Sequence, residues 1–349
     1  MTTTHAARYG ASEFLKDRHP DLNPPFPVDV IPEEIAIAYG RRHVPKLVDV
    51  IGLADDRLPD PERARALRYL LSLLTNQETK SEAVSYGAAP YLVHLLGNSD
   101  PYVRQLTSQT LMSLADLMSG RAAIVEADGI PALTYALKDA STEAREAASQ
   151  CLEVVSSGPS GEAALLASPA RVLFEIVAML EDAISSSRAV LAGVGTLCNC
   201  TTSDQGIFVA LDAQVPPTIL KLAKAKDSDA DLKTACARCL RNLCHHPYGK
   251  VQVHEADGIP VLTEMLTSPI ESIQQQAAAA FMGLTLEEDA KLPTIHSAAK
   301  QLVAILHHEN PDVAENVLAT IQNACEHPEA RRLVELLLTE IDMDYVFGF

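Results

Sequence analysis

The chain has no tryptophan, and aromatic residues make up only 5% of it. Its core must therefore be aliphatic, built from Leu, Val, Ile and Ala, a composition that favours helices. Positive charge is also scarce: 28 Lys and Arg stand against 46 Asp and Glu, a net charge of −18. Arg41–Arg42 and Arg331–Arg332 are isolated pairs. Nucleic-acid binding needs a basic face that releases counterions, so no nucleic acid is expected as a partner, and no anionic membrane either. A basic protein partner and plain solubility are both consistent with the acidity. A membrane span needs about 18 or more apolar residues in a row. The best candidate, 163–180, is broken by Pro169, Arg171 and Glu175. The first thirty residues hold no apolar stretch of a secretory signal. Seven cysteines, an odd number, suit a reducing compartment better than a disulfide framework. A soluble intracellular protein is the expectation.

What is present is repetition. The 349 residues admit two ordinary domains or one elongated array, and 47% hydrophobic content excludes a disordered chain. The hexapeptide Glu-Ala-Asp-Gly-Ile-Pro occurs unchanged at 126–131 and 255–260, and a weaker version surrounds Gly87 and Pro90. A leucine-like marker near each such corner falls at Leu47, Leu92, Leu133, Leu173, Ile219, Leu262 and Leu302, spaced 45, 41, 40, 46, 43 and 40. A second marker, in the helix that follows, falls at Ser72, Ser113, Val154, Asn199, Asn242, Gly283 and Asn323, spaced 41, 41, 45, 43, 41 and 40. Two markers drifting together over seven units indicate a repeat array.

Each unit reads as three helices. A short helix runs up to a glycine, which is expected to take the left-handed conformation at a sharp bend. Proline then stands in the first turn of a second helix, where its missing N–H is harmless. A turn carrying Asp, Ser, Asn or Pro leads to a longer amphipathic third helix, such as 232–245 with Leu232, Ala235, Cys239, Leu240 and Leu243 on helical spacing. This pattern resembles the armadillo repeat more than the two-helix HEAT repeat. It predicts an all-α, right-handed superhelical solenoid of about seven repeats over 36–338. Such units stack on their neighbours to make one continuous core. Residues 1–35, with five prolines between Pro20 and Pro32, read as an extended arm. Residues 339–349 read as an aromatic tail, with Tyr345, Phe347 and Phe349 as contact candidates.

Candidate chemistry is thin. Cys236, Cys239, Cys244, His245 and His246 superficially suggest a metal cluster, but they lie on a third helix, where small apolar side chains pack and cysteine serves as well as alanine. His246-Pro247 and His327-Pro328 recur just after third helices, as expected of a helix-ending histidine favoured by the macrodipole. No phosphate-binding loop, nucleophile elbow or zincin motif is present, and no strand is expected to mount one. The expectation is a non-enzyme with no metal, cofactor or small-molecule substrate.

The Asn markers are more informative. Asn199, Asn242 and Asn323, with Arg241 and Gln322 beside them, are expected on the concave third-helix face. There Asn can hydrogen-bond both ways to an extended peptide, or it can brace a neighbouring repeat. Peptide grooves of import receptors and catenins pair such Asn residues with Trp, which this chain lacks.

Residues 35–47, Ile-Ala-Ile-Ala-Tyr-Gly-Arg-Arg-His-Val-Pro-Lys-Leu, resemble the entry to the first repeat of the radial spoke head protein 14 family, armadillo subunits of ciliary radial spokes. A sibling armadillo subunit of the same complex fits the same features. The resemblance implies a non-catalytic scaffold subunit in the axoneme of motile cilia and flagella. Its partners would be other radial spoke proteins, core scaffold and neck or stalk subunits, within a large hetero-oligomeric complex. The rival expectation is a cytosolic adaptor that binds peptide segments of partner or cargo proteins.

Overall fold

The computed structural model describes residues 43–54, 57–225 and 228–347, with side chains described through residue 339. Two compact units divide the chain, 1–46 and 47–349. Only the opening turn of one helix is described in the first, so the expected arm at 1–35 lies outside the described residues. The second unit is all helix and turn, with no strand among the described residues.

The array opens with α1 (His43–Ile51) and α2 (Asp60–Leu73). Five triplets follow. The first two are α3 (Gln77–Ser85), α4 (Ala88–Leu95) and α5 (Pro101–Ala115), then α6 (Met118–Glu126), α7 (Gly129–Ala136) and α8 (Thr142–Ser156). The next two are α9 (Pro159–Ala167), α10 (Val172–Glu181) and α11 (Ser187–Cys200), then α12 (Asp204–Asp212), α13 (Val215–Lys224) and α14 (Ala230–Cys244). The fifth is α15 (Pro247–Glu255), α16 (Gly258–Leu266) and α17 (Glu271–Leu284). Helices α18 (Glu288–Ala304), α19 (Pro311–Ala324) and α20 (Pro328–Phe347) close the array. Residues 339–347 therefore continue α20.

Like packs on like. The third helices α2, α5, α8, α11, α14, α17 and α19 form one row, each against the next, and the first and second helices form rows of their own. Sequence dictates which stripe is buried. In α8 the core side chains are Ala144, Ala147, Ala148, Cys151, Leu152 and Val155, at steps of three and four. Each fully buried leucine of this kind contributes about 1.5–3 kcal/mol. The turns before the third helices carry side-chain caps: Asp100, Ser141, Ser186, Asp229 and Asn310 each accept a backbone N–H of the helix they open.

Two corrections concern the corners. Gly87 is left-handed at φ 71°, but in the two hexapeptide corners the left-handed residue is the aspartate before the expected glycine, Asp128 (57°) and Asp257 (61°), and in the two corners without glycine it is Arg171 (51°) and Gln214 (60°). Gly129 and Gly258 serve close packing instead. A Cβ on Gly129 would stand 2.6 Å from Ile124 Cγ2, and one on Gly258 at 2.6 Å from Val253 Cγ1. The seventh unit has no corner at all, because first and second helices fuse in α18. Residues 297–300, Ser-Ala-Ala-Lys, hold neither glycine nor proline where the bend is expected, so the helix runs through it, and Pro293 nearer its start withholds only its own N–H from the ladder.

Further glycines set the unit junctions. Gly120, Gly161, Gly206 and Gly249 are each the third residue of a first helix, and a Cβ there would overlap the carbonyl of Leu114, Val155, Cys200 or Leu243 at the end of the preceding third helix. Arginines reinforce the first units at a spacing of 41: Arg63, Arg104 and Arg145. Arg63, only 1% exposed, donates to the Ile51, Leu53 and Leu58 carbonyls. Arg104 grips the Asp139 carboxylate with Nε at 2.6 Å and Nη2 at 2.7 Å. Arg145 donates to the Asp139 carbonyl and to the Asp182 carboxylate.

No single helix among the described residues is long and apolar enough to cross a membrane.

Candidate binding face of the third helices

Among the second markers, Ser113, Asn199, Asn242 and Asn323 bond the last turn of the preceding third helix, whereas Ser72, on the first of these helices, bonds its own Tyr69 carbonyl. Asn199 on α11 donates through Nδ2 to the Glu153 carbonyl at 3.1 Å and the Ser156 hydroxyl at 3.0 Å. Asn242 on α14 donates to the Cys198 carbonyl at 3.1 Å and the Thr201 hydroxyl at 3.3 Å. Asn323 on α19 repeats the pattern with the Met282 carbonyl at 3.2 Å and the Thr285 hydroxyl at 3.5 Å. Ser113 makes one such bond, its hydroxyl donating to the Leu74 carbonyl at 3.2 Å.

Where the ladder is interrupted, geometry explains it in one case. A Cβ on Gly283 would stand 2.6 Å from the Cys244 carbonyl oxygen, so no side chain fits between α14 and α17. At Val154 the apolar side chain supplies no donor. Each Asn amide nitrogen is thus committed to the stack, and its amide oxygen is the atom left to address a partner. That of Asn242 already accepts from Arg241 Nη2 at 3.2 Å.

Arg241 and Asn242 are half-buried neighbours, and Gln322 is exposed beside half-buried Asn323. The structure brings Asn199 and Asn242 onto adjacent rungs, while the Gly283 rung separates Asn323 from them. Tyr345 and Phe347 lie on α20, where side chains are outside the described residues, as is Phe349 altogether.

One turn before the markers stand Gln109, Gln150, Gly195, Arg238 and Ala279. None is aromatic, so the face has no flat walls against which Lys or Arg stems could stack. The Glu153 carboxylate folds over Gly195, which has no Cβ to obstruct it. Burial raises its pKa, and the Arg238 charge opposes the rise. A cleft of about 560 Å³ crosses the row from Thr201 past Arg241, Asn242 and His245 to Ala279 and Met282. Burial and the Arg241 charge hold the His245 imidazole below its usual range, against a hydrogen bond with the Ala279 backbone.

The cysteines are core side chains. Cys236, Cys239 and Cys244 have no exposed surface, and burial pushes the Cys236 and Cys244 thiols up to about 12. The two His-Pro histidines cap the next helix. His246 Nδ1 accepts from the Tyr248 N–H at 3.3 Å and His327 Nδ1 from the Ala330 N–H at 3.5 Å, so capping replaces the macrodipole account. Sequence reasoning missed this, although a side-chain acceptor just before a proline-opened helix was visible. It also missed the arginine row and the junction glycines, whose spacings drift with the markers.

No family model matches the chain. Over 104 residues it is 32% identical to junction plakoglobin of Xenopus laevis, a stretch covering 28% of this chain and 14% of that protein. Human junction plakoglobin is 32% identical over 102 residues, 28% of this chain and 13% of that one. Catenin beta of Urechis caupo is 29% identical over 99 residues, 27% and 12% of the two chains. The match thus spans a small part of these longer relatives. Among solved structures, an engineered protein superposes with a TM-score of 0.76 at 24% identity, over 84% of this chain and 71% of that one. A designed armadillo repeat protein gives 0.63 at 22%, over 69% and 99%. Another, in complex with the peptide (KR)4, gives 0.63 at 22%, over 70% and 100%. The fold is the armadillo-repeat solenoid.

Proposed function

We propose that this armadillo-repeat solenoid is a non-catalytic scaffold that binds peptide segments of partner proteins along its third helices. The observation that carries the reading is the unbroken row from α2 to α19, which offers side chains from consecutive units to one extended ligand. A similar fold holds a peptide in the designed complex with (KR)4. Asn199, Asn242, Asn323, Arg241 and Gln322 are the polar contacts, the Asn residues acting through their amide oxygens. A photo-crosslinking side chain at Arg241 or Gln322 should capture a co-purified partner, whereas one at Tyr135, 80% exposed on a second helix, should not. Capture from Tyr135 alone would place the interface elsewhere and sink the reading.

A narrower reading rests on residues 35–47. Its similarity to the radial spoke family supports a structural subunit of the axonemal radial spoke, held by other spoke proteins through the solenoid surface and, at the chain end, by Tyr345, Phe347 and Phe349. Residues 35–42 of that motif lie outside the described residues, and 43–47 open α1. Fractionation of ciliated cells tests it. Retention in salt-extracted axonemes is expected, and a wholly soluble pool overturns the spoke assignment while leaving the scaffold reading in place.

A further inference from the structure

Among the described residues, ring–ring contacts occur at one place, where the first helices α12 and α15 begin. Phe208 meets His246 with ring centroids 5.3 Å apart and Tyr248 at 5.6 Å, and His246 meets Tyr248 at 5.8 Å. His246 is buried, but Phe208 and Tyr248 remain 48% and 63% exposed. The other units show that stacking does not require these rings. Phe208 is the fifth residue of α12, and the fifth residues of α3, α6, α9 and α15 are Ser81, Ala122, Ala163 and Val251. Tyr248 is the second residue of α15, where α3, α6, α9 and α12 carry Glu78, Ser119, Ser160 and Gln205. Smaller or polar side chains complete those units, so two half-exposed rings are an addition to the framework, in a chain with only 5% aromatics.

A carboxylate adjoins the rings. Asp204 lies one turn before Phe208 on the same face of α12, and its side chain is 90% exposed. His246 Nδ1 accepts the Tyr248 N–H, so Nε2 carries the ring proton. That nitrogen stands 3.9 Å from Asp204 Oδ1, beyond hydrogen-bond reach. The Asp204 carboxylate accepts no hydrogen bond among the described residues. Two cations belong to the neighbourhood, and neither pairs with it. Lys250, half-buried, follows Tyr248 by two residues and so projects about 200° round α15 from it. Arg241 lines the cleft that Asp204 borders, a cleft to which neither Phe208 nor Tyr248 belongs.

We infer that Phe208, Tyr248 and Asp204 form a docking site for an arginine side chain from a basic segment of a partner protein, with the guanidinium over the exposed rings and bonded to the carboxylate. Aromatic faces attract cations, and arginine suits this site above lysine because its plane stacks on a ring while its N–H groups bond a carboxylate. The chain makes the ring half of that contact within itself, the Arg171 guanidinium lying 3.7 Å from the Phe174 ring centroid. The net charge of −18 favours the approach of a basic chain. This site lies on first helices, so it stands or falls apart from segment binding along the third helices.

The test measures fluorescein-labelled (RG)4, (KG)4, (EG)4 and (LG)4 peptides against the full-length chain by anisotropy. Wild type should bind (RG)4 more tightly than (KG)4 and leave (EG)4 and (LG)4 unbound. F208A/Y248Q, which installs residues that other units carry at these positions, should weaken (RG)4 by about fivefold or more, the scale of two exposed cation–π contacts. D204N should weaken it by about threefold, the scale of one exposed ion pair. Y135A, which removes an exposed ring on a second helix, should leave it unchanged. Should the double variant melt early, D204N still decides, because it alters a solvated side chain. Binding of (RG)4 that is indifferent to both variants is diffuse charge attraction and overturns the inference. So do absent (RG)4 binding at millimolar peptide, no preference for (RG)4 over (KG)4, and a preference for (LG)4. Self-association of the chain abolished by F208A/Y248Q makes a second copy the occupant and overturns it as well.

Discussion

Asn199 and Asn242 join units through single side chains, each satisfying a carbonyl and a hydroxyl at the end of the helix before it. Removing either leaves two half-buried acceptors without their donor, at about 1–2 kcal/mol. N199A and N242A should therefore each lower the melting temperature by a few degrees, read by thermal circular dichroism. Unchanged melting would mean that the bonds contribute nothing net. Asp139 is the corresponding acidic residue. Burial pushes its carboxyl up, but the Arg104 hydrogen bonds, the Ser141 N–H and the arginine charges outweigh burial and bring it below the usual range. A folded-state pKa below the unfolded one gives stability that is present above pH of about 4 and lost as pH falls through the folded value. D139N should melt lower at pH 7 and lose less stability than wild type on acidification. A parallel acid loss in both chains would contradict this.

At the scale of the element, the corner between first and second helices decides where the chain turns. Sequence spacing located the hexapeptide corners because Gly and Pro recur there, yet it assigned their left-handed conformation to the glycine and not to the aspartate before it, and it set the corner at Arg171 three residues out of register. Two constraints lie side by side. One residue must adopt positive φ, and the next must lack a Cβ to approach Ile124 or Val253. A glycine signals both equally. The fused α18 was illegible for the opposite reason, since the marker spacing continues through it while the corner residues are missing. Gln214, at φ 60°, tests the first constraint. Left-handed backbone costs a non-glycine residue about 1–2 kcal/mol, and the greater unfolded-state freedom of glycine offsets part of the gain. Q214G should raise stability by about 0.5–1 kcal/mol in denaturant titration. A loss would mean that the side chain, which donates to the Leu211 carbonyl at 3.4 Å, outweighs the strain.

At the scale of the whole array, the contacts between the rows of like helices run from unit to neighbouring unit, so stability is close to a sum of unit and interface terms. The period made that architecture readable from sequence, since two markers drifting together require stacked, equivalent units. The binding face was readable only as a row of positions. Whether Asn points at a partner or at the previous unit depends on how closely third helices approach, which residue identities alone do not express. The same one-dimensional logic makes the centre of the array its most informative place to perturb. Gly206 packs against the Cys200 carbonyl between the fourth and fifth units, and backbone cannot yield as a side chain can. G206L wedges that junction while leaving the remaining junctions intact. Wild type, with matched interfaces, should unfold in one denaturant transition. G206L should unfold in two, with hydrogen exchange showing one block on each side of the junction opening separately. A single transition displaced to lower denaturant, with uniform exchange along the array, would mean that coupling reaches beyond nearest neighbours.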